Sequence, residues 1–171
     1  LQFPSNIEIK ENFQFKKYTT YGLGGGAKIA FFPKSESECA EIYDFVQENY
    51  SRYVILGNGS NVLASSAFFD GAIISTRQFD KINKVDNVLY CESGVTVKRL
   101  LNYCIEEGLS GIEYLAGIPA SIGGLAYMNA GTFNKHISEN IINVRLYDGK
   151  YIDLLNKNCN FGNKYSIMRD I

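Results

Sequence analysis

The chain has 171 residues, of which 46% are hydrophobic and 20% charged, and its formal net charge at pH 7 is −1. This composition is typical of a soluble globular protein with one domain or two small lobes, and the lack of a basic excess argues against nucleic acid as the main partner. No apolar run approaches the roughly 20 residues that cross a bilayer, and the opening LQFPSNIEIKENF lacks the regions of a secretory signal, so we expect a cytoplasmic protein.

The cysteines and the single histidine predict no metal site. Cys39, Cys91, Cys104 and Cys159 contain no Cys-x-x-Cys pair, so we expect reduced thiols that are mostly buried and behave as small hydrophobic side chains. His136 lies in a polar stretch, and we expect it at the surface without a chemical role.

The first half of the chain predicts strands that alternate with a helix. Residues 27–32 form a predicted strand, and Ser35 with Glu38 has the spacing of a capping box at the start of an amphipathic helix. Two short apolar strands follow at residues 53–56 and 71–75. This order is typical of a βαβ unit.

The second half, from about Phe79, predicts mainly antiparallel strands with helices. Residues 87–92 form a predicted strand, and an apolar helical face begins at Thr96. Asp148 and Gly149 stand between two alternating segments and suit a type I′ hairpin turn. The whole chain therefore predicts an α+β fold.

Three glycine-rich segments are candidates for a binding site. The first, GLGGGA at residues 22–27, matches the pattern G-x-G-x-x-A of dinucleotide-binding folds. That motif needs a strand before it and a helix after it, whereas here a predicted strand follows. We therefore interpret this segment as a turn that lets a strand pass close to its neighbours.

The second segment, GNGSN at residues 57–61, directly follows a predicted strand. Glycines adopt positive φ readily, so consecutive N–H groups can point into one concavity and bind an anion. Ser60 and Asn61 add side-chain donors, and a side chain at Gly59 is expected to fill the concavity. The alternative is an ordinary turn between strands.

The third segment, GIPASIGGLAYMNAG at residues 117–131, predicts a short helix rich in small residues. Pro119 suits the first turn, Ser121 can cap, and residues such as Gly124 leave room for a flat ligand. Free N–H groups at the start of the helix would favour an anion, and Asn129 stands near its end. The alternative is close helix packing through small residues. Together, the second and third segments suggest a ligand with a diphosphate in a cleft between the lobes.

Four stretches resemble, in order, the UDP-N-acetylenolpyruvoylglucosamine reductase (MurB) family, which has the PCMH-type FAD-binding fold. They are TTYGLGGGA (19–27), LGNGSNVL (56–63), AGIPASIGGLAYMNAG (116–131) and CNFGNKYS (159–166). The resemblance implies two FAD-binding lobes, a small βαβ lobe at residues 1–78 and a larger, mainly antiparallel lobe with helices at residues 79–171.

The resemblance also implies a cofactor site and a reaction. FAD would lie between the lobes, with its pyrophosphate against Gly57, Asn58, Gly59, Ser60 and Asn61. The other cofactor-binding residues would be Gly117, Ile118, Pro119, Ser121, Ile122, Gly124 and Asn129. The family reduces the enolpyruvyl group of a UDP-sugar with NADPH as hydride donor, in the synthesis of peptidoglycan precursors.

The sequence departs from the family at the catalytic positions. The family arginine of Tyr-Arg-x-Ser corresponds to Lys164, our catalytic candidate, which keeps the positive charge without the planar fork. The family arginine of TFRIGG corresponds to Gly22. The family serine and glutamate belong to a later segment, so we expect a fragment or an incomplete enzyme. A non-catalytic FAD- or nucleotide-binding module and a small structural domain are the alternatives.

Overall fold

The computed structural model describes residues 7–171. Its contacts divide the chain into two compact units, Leu1–Asp80 and Lys81–Ile171, of which the first is described from Ile7 onward. The prediction that no secretory signal opens the chain falls partly on residues 1–6, outside the described residues. No helix in the described part of the chain has both the length and the apolar character needed to span a membrane.

Within residues 7–80, four strands and one α-helix form the first unit. They are β1 (Glu8–Gln14), β2 (Gly26–Phe32), α1 (Glu36–Asn49), β3 (Tyr53–Leu56) and β4 (Phe69–Ser75). The sheet has the order β1-β2-β4-β3, with β4 parallel to both β2 and β3, and β1 antiparallel to β2. The three predicted strands, the helix and their βαβ order are confirmed.

Helix α1 begins and packs as its sequence predicts. Ser35 Oγ accepts a hydrogen bond from the backbone N–H of Glu38 at 3.2 Å, which caps the first turn. Ile42 and Val46 are fully buried in one cluster with Phe31 of β2. Burial of each such side chain stabilises the fold by about 1.5–3 kcal/mol, so α1 is held on one face of the sheet by its apolar stripe.

The other face of this sheet has its own core, to which β1 contributes. Phe13 of β1 is 2% exposed and clusters with Phe32 and Ile73. Strand β1 was not among the predicted elements because most of EIKENFQ is polar and partly or fully exposed. Its pairing with β2 and the burial of Phe13 hold it in the sheet.

Within residues 81–171, six strands and two α-helices form the second unit. They are β5 (Ile82–Val85), β6 (Val88–Cys91), α2 (Val97–Glu106), α3 (Ile122–Met128), β7 (Gly131–Thr132), β8 (Lys135–His136), β9 (Asn143–Tyr147) and β10 (Tyr151–Leu155). The antiparallel pairing takes the form of three separate two-stranded ribbons, β5-β6, β7-β8 and β9-β10.

The predicted hairpin forms, but its turn differs from the predicted type I′. Tyr147 pairs with Tyr151, so the loop has three residues, and the Asp148 N–H donates to the Lys150 carbonyl at 3.1 Å. Of the loop residues, only Gly149 has a positive φ, of 65°. A type I′ turn needs positive φ at two positions, so the prediction of that type was wrong; a three-residue loop with glycine in the left-handed region replaces it.

Within residues 7–171, none of the four cysteines forms a disulfide. Cys104 and Cys159 are buried, whereas Cys39 and Cys91 are half-buried. Burial raises the pKa of the Cys91 thiol to about 11, which keeps it protonated at neutral pH. Among residues 7–171, no group of three His, Cys, Asp or Glu side chains is placed to hold a metal ion.

Candidate functional site

The segment at residues 57–61, hereafter the 57–61 loop, lies where two parallel strands end. Leu56, the last residue of β3, pairs with Ser75, the last residue of β4. The carboxyl ends of neighbouring parallel strands are a common place for ligand sites in α/β sheets. The loop leaves the first unit's sheet at that edge.

Gly59 holds the 57–61 loop against the turn at residues 18–20. Its φ is +70°, and a Cβ built there would lie 2.1 Å from the Tyr18 carbonyl oxygen. The Gly59 carbonyl accepts a hydrogen bond from the Thr20 N–H at 3.1 Å. A side chain at Gly59 would therefore clash with the Tyr18 backbone. The sequence predicts instead that such a side chain would fill the anion-binding concavity, so the structure gives a different reason for glycine at this position.

Arg77 binds the same two segments from the end of β4. Its Nη2 donates to the carbonyl oxygens of Tyr18 and Asn58, both at 3.0 Å, and the guanidinium carbon lies 5.2 Å from the centre of the Tyr18 ring. The side chain is half-buried, and burial lowers the pKa of its guanidinium. Arg77 was not among the predicted site residues, because its two acceptors lie 59 and 19 residues away along the chain.

The 57–61 loop retains hydrogen-bond donors for a ligand. Within residues 7–171, no protein acceptor is found for the backbone N–H groups of Gly59, Ser60 and Asn61. The Ser60 side chain is half-buried and that of Asn61 is exposed. Successive N–H groups without protein acceptors form a concavity that can bind an anion.

The first glycine-rich segment packs closely, as predicted. A Cβ at Gly25 would lie 2.4 Å from the Ser66 carbonyl oxygen, and one at Gly24 would lie 2.6 Å from Ala64 Cβ. The Gly25 N–H donates to the Ser65 carbonyl at 2.7 Å. Strand β2 follows directly at Gly26, so the interpretation as a close-packed turn before a strand is confirmed.

The start of helix α3 differs from its prediction. The N–H groups of Ile122 and Gly123 donate to the carbonyls of Val95 and Ser93 at 2.8 and 2.9 Å, and the Gly124 N–H donates to Ser121 Oγ at 3.4 Å. The prediction of free N–H groups at this helix start was therefore wrong. The segment at residues 93–97 packs so closely that its carbonyls take these donors.

Small residues allow residues 93–97 to pack closely against the start of α3, and other small residues of the same glycine-rich segment are exposed. A Cβ at Gly123 would lie 2.7 Å from Ser93 Cβ, whereas Gly124 is exposed and would meet only Ser121 Oγ, at 3.4 Å. Gly117 and Pro119 are also exposed, and Gly117 has a φ of +85° with nothing within 4 Å of a built Cβ. An exposed, side-chain-poor surface is thus present beside α3.

Asn129 ends α3 and ties it to two later segments. Its φ is +43°, its side chain is buried, and Nδ2 donates to the Gly162 carbonyl at 2.9 Å. Its Oδ1 accepts from the Ser138 N–H at 3.2 Å. Both side-chain polar atoms are therefore engaged within the protein, and a cofactor contact by Asn129 stays a prediction.

Lys164 lies on an exposed turn with a second cation beside it. Its φ is +52°, and its carbonyl accepts a hydrogen bond from Arg169 Nη1 at 3.0 Å. The Arg169 guanidinium carbon lies 6.0 Å from the centre of the Tyr127 ring on α3, and the buried Ser166 Oγ donates to the Tyr127 carbonyl at 2.8 Å. The segment that carries Lys164 is thus joined to Tyr127 of α3 through Ser166 and through Arg169, an arginine that was not among the predicted site residues.

Comparison with protein families shows to which family the chain that carries these loops belongs. Residues 27–152 match the family described as FAD binding domain. The chain belongs to this FAD-binding family.

Similar proteins narrow the resemblance of this FAD-binding domain. Residues of the chain are 39% identical, over 134 positions, to the UDP-N-acetylenolpyruvoylglucosamine reductase of Caldicellulosiruptor saccharolyticus, covering 78% of the chain and 43% of the relative. The reductase of Clostridium novyi is 35% identical over 163 positions, covering 94% of the chain and 53% of that relative. The chain thus spans about half the length of the curated relatives it matches.

Solved structures agree with this resemblance. The reductase MurB from Thermus caldophilus has a TM-score of 0.71 at 28% identity, covering 94% of the chain and 56% of that structure. Cholesterol oxidase from Brevibacterium sterolicum has a TM-score of 0.65 at 13% identity, covering 90% of the chain and 34% of that structure. At so low an identity, this similarity shows the fold alone. The predicted PCMH-type FAD-binding fold and the resemblance to the MurB family are confirmed.

Proposed function

We propose that this chain is the FAD-binding portion of a UDP-N-acetylmuramate dehydrogenase, the UDP-N-acetylenolpyruvoylglucosamine reductase. The whole enzyme would reduce the enolpyruvyl group of a UDP-sugar with NADPH as hydride donor. The observation that carries the proposal is the 57–61 loop, in which the N–H groups of Gly59, Ser60 and Asn61 find no protein acceptor among residues 7–171, in a chain that belongs to an FAD-binding family. The named relatives support the choice of substrate class.

The residues of the first unit fit the diphosphate of FAD. The N–H groups of Gly59, Ser60 and Asn61 would donate to phosphate oxygens, and the side chains of Ser60 and Asn61 could add further donors. The half-buried guanidinium of Arg77 places a positive charge behind the same loop. Gly57 and Asn58 complete the proposed diphosphate set.

A second set of residues is proposed to lie against the flavin ring. Its members share low side-chain bulk or an apolar surface, and they are Gly117, Ile118, Pro119, Ser121, Ile122 and Gly124. Because the first N–H groups of α3 bond to residues 93–95, these residues would contribute close backbone approach rather than anion binding. When bound, FAD supplies the hydride chemistry, while the protein binds it, orients it and excludes water.

Lys164 is proposed to stabilise negative charge that develops on the substrate. Its exposed side chain is free to approach a ligand, and the guanidinium of Arg169 adds a second positive charge on the same turn. A lysine offers a point charge, whereas an arginine offers a planar pair of donors. That difference is the observation that keeps a non-catalytic FAD- or nucleotide-binding module as the second candidate function.

The proposed biological setting follows from this activity. UDP-N-acetylmuramate is a peptidoglycan precursor, so we place the protein in the cytoplasm, in cell wall biogenesis and thereby in cell shape and cell division. The FAD-binding lobes are proposed at residues 1–78 and 79–171.

Purified protein tests the two candidates in turn. We expect a yellow protein with flavin absorbance and about one FAD per chain after reconstitution, and a protein that binds no FAD would contradict the proposal. The full-length protein should also oxidise NADPH only when the enolpyruvyl UDP-sugar is present. FAD binding without that oxidation would favour the non-catalytic module.

A further inference from the structure

Arg77 has the features of a side chain that works through its neighbours. A single nitrogen, Nη2, donates to Tyr18 and to Asn58, which are 59 and 19 residues away along the chain. These bonds join the 57–61 loop to the turn at residues 18–20. The structure therefore uses one guanidinium group to fix the position of the 57–61 loop relative to the sheet.

The bond to the Asn58 carbonyl also orients the next N–H group. The carbonyl of residue 58 and the N–H of residue 59 belong to one planar trans peptide unit, and they point in opposite directions. Because Arg77 binds the Asn58 oxygen, the Gly59 N–H points away from the guanidinium. The Thr20 N–H binds the Gly59 oxygen, so the Ser60 N–H is turned away from Thr20 in the same manner.

The charge of Arg77 is not compensated by an acid. Among residues 7–171, Arg77 forms no ion pair with a carboxylate, and its buried Nε atom has no hydrogen-bond partner. Half-buried charges in proteins are usually paired, because burial without a partner is costly. Arg77 has no acidic partner among residues 7–171 and lies behind the N–H groups of Gly59, Ser60 and Asn61, which indicates that an anion on the far side of the loop supplies the counter-charge.

We propose that Arg77 is a positioning residue for the anion site of the 57–61 loop. It holds the peptide unit of Asn58 and Gly59 in the orientation that presents the Gly59 N–H to a phosphate, and its positive charge is balanced by that phosphate through the loop. Arg77 itself does not touch the ligand. This inference rests on the proposed function of the 57–61 loop as the diphosphate site.

The test compares three variants of the protein with the wild type. Arg77→Gln removes the charge, Arg77→Lys keeps the charge but changes the reach and geometry of the donor, and Arg52→Gln removes an exposed arginine of the same unit as a matched control. The affinity for FAD is measured by flavin fluorescence. Titration with inorganic pyrophosphate is followed by the ¹H–¹⁵N signals of Gly59 and Ser60, and the signal of the buried Ala72 reports on the integrity of the fold.

The wild type should bind FAD, and pyrophosphate should shift the Gly59 and Ser60 signals in a saturable manner. Arg77→Gln should weaken FAD binding by about tenfold or more and remove the saturable shift, while the Ala72 signal keeps its position. Arg77→Lys should weaken FAD binding by about threefold to tenfold, and Arg52→Gln by less than about twofold.

Several results would overturn the inference. A folded Arg77→Gln protein with FAD affinity and Gly59 shifts like those of the wild type would show that Arg77 positions nothing at this site. If Arg77→Gln does not fold, Arg77→Lys decides, and an unchanged FAD affinity would contradict the need for a guanidinium that reaches both the Tyr18 and the Asn58 carbonyls. An equal loss in Arg52→Gln would assign the effect to general charge. A wild type that binds neither FAD nor pyrophosphate would instead contradict the proposed function itself.

Discussion

The 57–61 loop and the start of helix α3 are both rich in glycine and serine, yet their backbones are used in opposite ways. In the 57–61 loop, the carbonyls of Asn58 and Gly59 are bound by Arg77 and Thr20, and the following N–H groups have no protein acceptor within residues 7–171. At the start of α3, the N–H groups of Ile122 and Gly123 are taken by carbonyls of residues 93–95.

The comparison shows that glycine content alone does not make an anion site. Both segments pack closely against other parts of the backbone. Each backbone N–H group in them either donates to a protein carbonyl or stays available to a ligand. In the first case the neighbours bind carbonyls and leave N–H groups available. In the second case they supply carbonyls and use the N–H groups, so close packing is the outcome.

The largest expected effect is that of Gly59→Ala, which would break the contact between the 57–61 loop and Tyr18. The new Cβ would lie 2.1 Å from the Tyr18 carbonyl oxygen in a residue whose φ is +70°. Overpacking and left-handed strain together should lower the free energy of unfolding by about 3–5 kcal/mol, with loss of FAD binding. Urea unfolding and flavin content measure the two effects.

Gly22→Ala is the matched control for that substitution. Gly22 has a φ of +64°, but nothing lies within 4 Å of a Cβ built there, so only the strain of about 1–2 kcal/mol is expected. Equal losses in the two variants would mean that the contact with Tyr18 does not explain why glycine stands at position 59.

A smaller effect should separate the two neighbouring glycines of α3. Gly123→Ala places a Cβ 2.7 Å from Ser93 Cβ and should lower the free energy of unfolding by about 1–2 kcal/mol, because helix propensity offsets part of the clash. In Gly124→Ala, the new Cβ would lie 3.4 Å from Ser121 Oγ and near no other atom. This substitution should raise the free energy of unfolding by up to about 1 kcal/mol, because alanine has the higher helix propensity.

The same pair sharpens the proposal for the flavin ring. If the ring lies against the exposed side of α3, Gly124→Ala should weaken FAD binding even though it stabilises the fold. Unfolding curves and FAD titrations of one preparation test this separation. A Gly124→Ala protein with unchanged FAD affinity would remove Gly124 from the proposed set.

The smallest effects distinguish the two serines. Ser121→Ala removes the cap of α3 and should lower the free energy of unfolding by about 1 kcal/mol. Because the buried Ser121 is proposed to approach the flavin ring through its backbone alone, FAD affinity should stay within about twofold. Ser60→Ala should leave the free energy of unfolding within about 0.5 kcal/mol and weaken FAD binding by about threefold to tenfold. Reversed behaviour of the two serines would exchange the roles of the two segments.

Local sequence patterns predicted the elements whose boundaries depend on near neighbours. Ser35 and Glu38 predict the start of α1, and Thr96 predicts that of α2, where its Oγ1 accepts from the Arg99 N–H at 3.3 Å. Strand β1 escaped prediction because most of its residues are polar and exposed, so only its pairing with β2 and the burial of Phe13 hold it in the sheet. The three-residue hairpin loop also depends on strand register, which Asp148 and Gly149 alone do not set.

Only those features of the site that depend on residues close together in the sequence could be predicted. GNGSN after a strand indicates a loop with available N–H groups, and the structure has such a loop. Arg77 could not be assigned to it from the sequence, because its two acceptors come from distant positions. The N–H groups of Ile122 and Gly123 donate to the carbonyls of Val95 and Ser93, which lie 27 and 30 residues earlier in the chain. These residues become neighbours only in the folded unit, so the local sequence could not predict the bonds.

Asn129 gives the last part of the chain a dependence on α3. Its side chain accepts the Ser138 N–H and donates to the Gly162 carbonyl, and it does so from a left-handed residue that exists only where the helix stops. The turn that carries Lys164 is therefore anchored, through Gly162, to the residue at which α3 ends. A change that unwinds the end of α3 would therefore also loosen the segment that bears the positive charges of Lys164 and Arg169.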